Sequence, residues 1–165
     1  MAKTWKDSDI NLDQIKDQTI GIIGYGIQGD AQANNLKDSG LKVIVGLKEG
    51  GSSWNKAKND GHEVMSVAEA CKKADIIHIL IPDMVQSKVY KDEIEPNLSE
   101  GKALAFSHAA AIYWGWIKAP DNVDIIMVAP KGPGSKVRET YLDGFGTPSI
   151  VAVEQDKTGT AWDRT

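Results

Sequence analysis

The chain has 165 residues, with 19 basic and 23 acidic side chains and a formal net charge of −4. This length predicts one domain that is large enough to bury its own core. Proteins that bind nucleic acid in general carry a basic excess, so the acidic balance disfavours that class. The single cysteine, Cys71, excludes an intrachain disulfide framework, and the few scattered histidines do not predict a zinc site.

The N-terminal segment has no apolar stretch of the kind that secretory signals contain. No apolar run approaches the roughly 18–20 residues that a membrane-spanning helix needs. We therefore expect a cytoplasmic protein without a membrane partner.

Short apolar runs alternate with segments of helical periodicity along the chain. In order, strands are predicted at 19–24, 41–47, 63–65, 75–81, 102–106, 123–129 and 149–153, and helices at 26–39, 53–60, 67–73 and 85–94. This alternation predicts an α/β fold, a doubly wound and mostly parallel Rossmann-type sheet with helices on both faces. We assign residues 1–165 to one dinucleotide-binding domain, whose polar end at 154–165 is expected to be a loop that leads towards a helix.

The first predicted strand runs into a glycine-rich turn, Gly24-Tyr-Gly-Ile-Gln-Gly29, that matches G-x-G-x-x-G. In this pattern Gly24 permits the tight turn, Gly26 leaves room for a pyrophosphate, and Gly29 lets the helix pack closely on the strand. Free N–H groups at the helix start would then hold the diphosphate. The alternative is a turn that binds nothing, which its place between a strand and a helix disfavours.

The end of the second strand bears on which dinucleotide is bound. NAD-selective domains usually place an acidic residue there, against the ribose 2′-hydroxyl. Here Lys48 and the hydroxyls of Ser52 and Ser53 are candidates for binding a 2′-phosphate, whereas Glu49 would repel it. We predict a preference for NADP(H), with use of NAD(H) left open. Ser53 is also a candidate helix cap.

Three further segments follow strands at the edge of the sheet where ligands bind. The segment 82–86 either lines the nicotinamide side of the cofactor or simply starts a helix that Asp83 caps. His108 follows an apolar strand and is a candidate for proton exchange, with a structural role equally open. Lys131 lies in a rigid Pro/Gly turn, where a solvated lysine is the simpler interpretation.

The remaining histidines and two tryptophans receive structural interpretations. His78 lies within a strand and is expected in the core, whereas His62 is expected in a surface turn. Trp114 and Trp116 are either packing residues or an exposed patch.

Taken together, these segments resemble the ketol-acid reductoisomerase (acetohydroxyacid isomeroreductase) family, in an archaeal-type, short-chain form. The matching stretches are Gly24–Gly29, Asp38–Gly40, Val45–Leu47, Pro82–Gln86 and Ala129–Gly134. The resemblance implies an N-terminal NADPH-binding Rossmann domain. It also implies conversion of acetolactate or acetohydroxybutyrate to dihydroxy acids in branched-chain amino acid (valine and isoleucine) biosynthesis, by Mg²⁺-dependent alkyl migration and hydride reduction.

The resemblance also implies roles for individual residues. His108 and Lys131 match the active-site histidine and lysine of the family. The implied cofactor-binding residues are Gly24, Tyr25, Gly26, Ile27, Gln28, Gly29, Lys48, Ser52, Ser53, Asp83, Met84, Val85, Gln86 and Gly134.

The sequence departs from the family pattern at several positions. Ile27 stands where a serine is common, Asp30 where a basic residue or histidine is common, and Ala109–Ala111 replaces Gly-Phe-Asn. An acidic residue at the helix start is expected to weaken the attraction for diphosphate.

The family's Mg²⁺ ligands belong to a C-terminal helical domain that this chain lacks, so we predict no metal ligands in it. We expect a fragment that binds NADP(H) and is inactive alone. Whether it forms a homo-oligomer is left open. The alternatives are another small NADP-dependent reductase and a nucleotide-binding module without catalysis.

Overall fold

The computed structural model describes residues 3–165, apart from the side chain of Asp7. The strands are β1 (Thr19–Ile23), β2 (Lys42–Gly46), β3 (Glu63–Met65), β4 (Ile76–Ile79), β5 (Ala103–Phe106), β6 (Asp124–Pro130) and β7 (Ser149–Gln155). The helices are α1 (Ile27–Asp38), α2 (Ser52–Asn59), α3 (Val67–Lys73), α4 (Asp83–Val89), α5 (Ala110–Tyr113) and α6 (Gly134–Leu142).

The seven strands form one sheet in the order β3-β2-β1-β4-β5-β6-β7. Strands β1 to β6 are parallel, and β7 runs antiparallel to β6. The predicted doubly wound, mostly parallel α/β fold is thereby confirmed. Strand order reverses between β1 and β4, and ligands of such sheets bind in the crevice at that switch point.

Each central strand buries both faces because its residues are apolar on both sides of the pleat. Ile23, Ile77 and Phe106 face one layer, where they pack in a cluster with residues of α3. Ile22 and Ile126 face the other layer, where they pack in a cluster with residues of α1 and α2. The two layers hold the strand ends in place, and the site is built on those ends.

Several predicted boundaries and environments were wrong. Helix α2 begins at Ser52 with Gly51 as its N-cap, so Ser53 is not the cap. Helix α4 begins at Asp83 with Pro82 as its N-cap, and it continues through a wider π-type turn at Tyr90–Ile94. His62 is only 7% exposed rather than a surface residue, because it packs edge-on against Tyr25 and bonds to Asn34.

The structure also places His78 and the two tryptophans. His78 is buried within β4, as predicted, and Trp114 and Trp116 are exposed. The antiparallel direction of β7 and the helices α5 and α6 went unpredicted, and residues 156–165 form turns. Within residues 3–165 no helix is long and apolar enough to cross a membrane.

Candidate functional site

The glycine-rich turn has the geometry that its three glycines predict. Gly24 has a φ of +99°, in the left-handed region that favours glycine. A Cβ on Gly29 would lie 2.2 Å from the carbonyl oxygen of Gly24, so helix α1 can approach the turn only without a side chain there. A Cβ on Gly26 would meet no described atom within 4 Å. The turn is therefore closely packed on one side and open at Gly26.

The N-terminus of α1 presents backbone N–H groups to this opening. Gly26 is the N-cap, and no described side chain bonds to the first turn as a cap. The first N–H groups of a helix lack partners within the helix, and the helix dipole adds positive potential there. This arrangement fits the diphosphate of a dinucleotide.

The acidic residue in that first turn is neutralised by its surroundings. Asp30 Oδ2 lies 2.5 Å from Lys56 Nζ on α2, and Asp30 Oδ1 accepts a hydrogen bond from Asn34 Nδ2 at 2.8 Å. The expected weakening of anion binding is therefore offset by a cation from the neighbouring helix.

Tyr25 contributes its backbone, and not its ring, to the turn. The buried hydroxyl donates to Asp60 Oδ2 at 2.9 Å and accepts from Asn34 Nδ2 at 2.9 Å. Burial raises the pKa of Tyr25 well above its ordinary value. The ring therefore links the turn to the end of α2.

The side chain of Gln28 is also engaged within the protein. Its Nε2 donates to the carbonyl oxygen of Gly132 at 3.0 Å, and its Oε1 accepts from Gln32 Nε2 at 3.0 Å. These bonds hold the side chain of Gln28 within the protein, with one Nε2 hydrogen left over, and its backbone N–H lies in the first turn of α1.

A larger cavity, of about 470 Å³, opens beside the end of β2. Gly24, Leu47, Lys48, Val85 and Lys88 are among its lining residues. Ser52 and Ser53 lie in the first turn of α2, whose N-terminus has no described side chain as a cap. Lys88, whose Nζ is 2.5 Å from Asp92 Oδ2, is a cation at this cavity that the sequence analysis missed. The cavity fits the adenosine end of a dinucleotide.

A smaller cavity, of about 200 Å³, opens on the other side of the glycine turn, at the ends of β4 and β5. Gln28, Asp83, Gln86, Ser107 and His108 are among the residues that line it. Predicted site residues that are far apart in the chain thus meet in one cavity. It fits the nicotinamide end of a dinucleotide.

His108 and Asp83 form a pair in this smaller cavity. His108 Nδ1 lies 2.8 Å from Asp83 Oδ2. A carboxylate that accepts the N–H of Nδ1 fixes the orientation of the ring and leaves Nε2 for proton exchange with a ligand. This pair was not predicted from the sequence. Asp83 and His108 follow β4 and β5, which are neighbours in the sheet, so their ends are adjacent.

Gln86 lies beneath that pair. Its Nε2 donates to the carbonyl oxygen of Ile81 at 2.9 Å and to Asp83 Oδ1 at 3.1 Å. The residue is 3% exposed, and its Oε1 has no hydrogen-bond partner among the described residues. A buried acceptor of this kind costs free energy unless a ligand or a water satisfies it.

The remaining predicted residues lie around the crevice. Lys131 is exposed and follows β6, with its backbone N–H bonded to the carbonyl oxygen of Pro148 at 2.8 Å. Gly134 begins α6, and a Cβ there would lie 2.1 Å from the carbonyl oxygen of Ile27, so α6 meets α1 at this point. Met84, Val85 and Ile27 expose apolar side chains.

The potential metal ligands within residues 3–165 do not cluster. No three His, Cys, Asp or Glu side chains in this part of the chain are grouped so that they could hold a metal ion.

Comparison with known proteins identifies the family. Residues 14–165 match the profile described as acetohydroxy acid isomeroreductase, NADPH-binding domain. The chain is 81% identical over 165 residues to a ketol-acid reductoisomerase (NADP(+)) of Nitrosopumilus maritimus (strain SCM1), and 61% identical over 161 residues to that of Methanocaldococcus jannaschii. These alignments cover 100% and 98% of this chain and 50% and 49% of the relatives, so the chain spans about half their length.

A structural match to a solved member supports the same family assignment. The fold superposes with a TM-score of 0.92, at 49% identity, on an NADH-preferring ketol-acid reductoisomerase from an uncultured archaeon, covering 95% of this chain and 49% of that one. It also superposes on the pyrroline carboxylate reductase of Plasmodium falciparum, with a TM-score of 0.67 at 18% identity and coverage of 90% and 53%, which shows a shared fold alone. The chain belongs to the acetohydroxy acid isomeroreductase family and comprises its NADPH-binding domain.

Proposed function

We propose that this domain holds NADP(H) across the glycine turn and presents its nicotinamide to an acetohydroxy acid substrate, as part of a ketol-acid reductoisomerase. The substrates would be acetolactate and acetohydroxybutyrate, and the products dihydroxy acids of branched-chain amino acid biosynthesis. The open N-terminus of α1 at Gly26, between a cavity beside Lys48 and a cavity beside His108, is the observation that carries this proposal.

Each end of the crevice would bind a different part of the cofactor. Backbone N–H groups of 24–29 would hold the diphosphate. Lys48, Ser52 and Ser53 would hold the 2′-phosphate. Asp83 and Gln86, with Gly134, would line the nicotinamide side, whereas Val85 lines the larger cavity and would contact the adenosine side. We propose a preference for NADPH with some use of NADH, because the exposed carboxylate of Glu49 lies in the same loop as Lys48 and opposes a second negative group.

Two side chains would act on the substrate. Bound NADPH supplies the hydride for the reduction. His108, held through Nδ1 by Asp83, would exchange a proton at Nε2. Lys131, exposed at the end of β6, would neutralise negative charge on a substrate oxygen.

The alkyl migration that precedes the reduction is expected to require Mg²⁺. Mg²⁺ prefers oxygen ligands such as carboxylates, and residues 3–165 hold no suitable group of them. We therefore propose that turnover needs parts of the longer relatives that these 165 residues do not include, and that this chain alone binds cofactor without turnover. A cytoplasmic location and self-association stay predictions.

Gly26→Val offers a direct test of cofactor binding. Gly26 has a φ of −78°, which valine adopts without strain, and a Cβ there would meet no described atom within 4 Å. We expect the variant to keep the wild-type melting temperature while its affinity for NADPH, measured by calorimetric titration, falls at least about tenfold.

Gly146→Val is the matched control. This glycine also has open space around its Cβ position and no positive φ, but it is not among the residues that line either cavity. Wild-type NADPH affinity in Gly26→Val would contradict the proposed binding mode, and so would equal losses in the two variants.

A further inference from the structure

A chain of buried and partly buried polar groups lies beneath the site, centred on Gln32 in the second turn of α1. Gln32 is 8% exposed. Its Nε2 donates to Gln28 Oε1 at 3.0 Å and to Ser107 Oγ at 3.1 Å. An amide nitrogen carries two hydrogens, so these two bonds use both of them.

Ser107, which immediately precedes His108, receives one of these bonds. Its Oγ donates its single hydrogen to the carbonyl oxygen of Val128 at 2.8 Å. The same oxygen must therefore accept from Gln32 and also from His78 Nε2 at 3.1 Å, which assigns the proton of the neutral His78 ring to Nε2. The serine thus joins β4, β6 and α1 at the base of the segment that carries His108.

Gln28 carries the chain of bonds to the third segment of the site. Its Nε2 donates to the carbonyl oxygen of Gly132, one residue after Lys131. The bonds of Gln32 therefore reach the diphosphate turn directly, the His108 segment through Ser107, and the Lys131 segment through Gln28.

The attachment of α1 to the body of the domain is provided elsewhere. Asn35, one turn along the same helix, donates to the carbonyl oxygen of Val137 at 3.2 Å and accepts from Arg138 Nη1 at 2.9 Å. These bonds hold α1 against α6. Gln32 instead contacts the site segments, and a buried amide is retained there at a desolvation cost that an apolar residue would avoid.

We propose that Gln32 is a positioning residue, which sets the spacing between the diphosphate turn and the segments that carry His108 and Lys131. The proposal rests on the proposed function, because it assumes that a dinucleotide spans these segments. Gln32 would act on the nicotinamide end of the bound cofactor and leave the adenosine end unaffected, since the adenosine cavity lies on the other side of the glycine turn.

Gln32→Met tests this proposal, because methionine keeps the length and shape of the side chain and removes both donors. The affinities of the 165-residue chain for NADPH and for adenosine 2′,5′-bisphosphate, which lacks the nicotinamide, are measured by calorimetric titration. We expect NADPH to bind about tenfold more weakly, and the bisphosphate to bind within about twofold of wild type.

Two further variants separate positioning from stability. Ser107→Ala removes the shared acceptor and is expected to act like Gln32→Met, so it decides the matter if Gln32→Met does not fold. Asn35→Leu removes the bonds from α1 to α6 and is expected to lower the melting temperature without changing the ratio of the two affinities.

The proposal is overturned if Gln32→Met and Ser107→Ala leave both affinities unchanged or weaken both equally. A wild-type chain that binds neither ligand would instead contradict the proposed function.

Discussion

The two ends of the sheet use polar side chains in opposite ways. At the end where the strands begin, Asp124 is fully buried and accepts from Lys157 N, Thr158 N, Thr158 Oγ1 and Arg164 Nη1. At the end where the strands stop, Gln86 Oε1 is buried with no partner among residues 3–165, His108 is exposed, and Gly26 faces open space.

Lys102 illustrates the same contrast. It precedes β5, and its Nζ donates to the carbonyl oxygens of Cys71, Lys72 and Ala74 at the end of α3. Partial burial lowers the pKa of Lys102, yet the three carbonyl groups satisfy its three donors. At the end where the strands begin, here called the closed end, charged groups are mostly paired within the protein, although Arg164 Nε is buried without a partner among residues 3–165. At the end where the strands stop, here called the open end, Gln86 Oε1 and the N-terminus of α1 have no side-chain partner among those same residues.

Asp124→Asn, at the end where the strands begin, is expected to lower the stability of the domain more than any other variant that we propose. The variant keeps the size of the side chain but leaves Arg164, which is largely buried, without its anion, so we expect the free energy of unfolding to fall by about 3–5 kcal/mol. Urea unfolding measures this loss. Glu63→Gln, which removes an exposed ion pair with Lys73, is the control and should cost less than about 1 kcal/mol. Equal losses in the two variants would show that burial of Asp124 is not what matters.

Low pH should destabilise the folded domain through His78, which is buried in β4 between the two ends of the sheet. Burial lowers the pKa of His78 from 6.5 to about 4. Between these two values the unfolded chain binds a proton that the folded protein does not, so stability is retained above about pH 6.5 and lost as the pH falls towards 4. At about 1.4 kcal/mol per pKa unit, the loss is about 3 kcal/mol.

Urea unfolding of the wild type and of His78→Gln between pH 7 and pH 4 checks this loss. The variant should show a smaller decrease over that range. Some decrease will remain, because burial also lowers the pKa of His62. Identical pH profiles for the two proteins would rule out His78 as the source.

Lys48→Ala tests whether the end where the strands stop binds the 2′-phosphate of NADPH. Removal of this cation from the larger cavity should weaken NADPH binding about tenfold and leave NADH binding within about twofold, because NADPH alone carries the 2′-phosphate. Lys58→Ala, which removes a charge from the same region outside either cavity, is the control. A parallel loss for both cofactors would contradict the assignment of Lys48.

Lys56→Gln should have the smallest effect. Without Lys56 the carboxylate of Asp30 is uncompensated in the first turn of α1, so NADPH affinity should fall about threefold at low salt, with a smaller effect at high salt. Adding Asp30→Asn to this variant should restore the affinity. Failure of the second substitution to do so would mean that Lys56 acts by another route.

The sequence allowed most of the sheet to be predicted, because buried strands are continuous apolar runs and helices separate them. The same reasoning missed α6, since Gly132, Pro133 and Gly134 read as a turn and conceal the start of a helix. The antiparallel direction of β7 leaves no mark on its apolar pattern. Predicted strand ends, by contrast, place His108 and Lys131 after β5 and β6, where the structure also has them.

Side-chain orientation accounts for the remaining differences at the site. The motif that contains Tyr25 and Gln28 predicts a diphosphate turn, but it does not say that both side chains bond elsewhere in the protein. His62 follows a glycine after a polar helix, yet it is buried, in contact with Tyr25 and Asn34. Such contacts depend on elements that are distant in sequence, and local patterns carry no signal for them.

The switch point in strand order also has a consequence for folding. Strand β1 pairs with β4 through Ile20 and Ile76, so this central pairing must close a loop of more than fifty residues. Long-range pairings of this kind are slow to form, because the chain loses loop entropy before the contact is gained. The crevice exists only after that pairing, so recovery of NADPH binding during refolding should report a late step, after the helices have regained their circular dichroism.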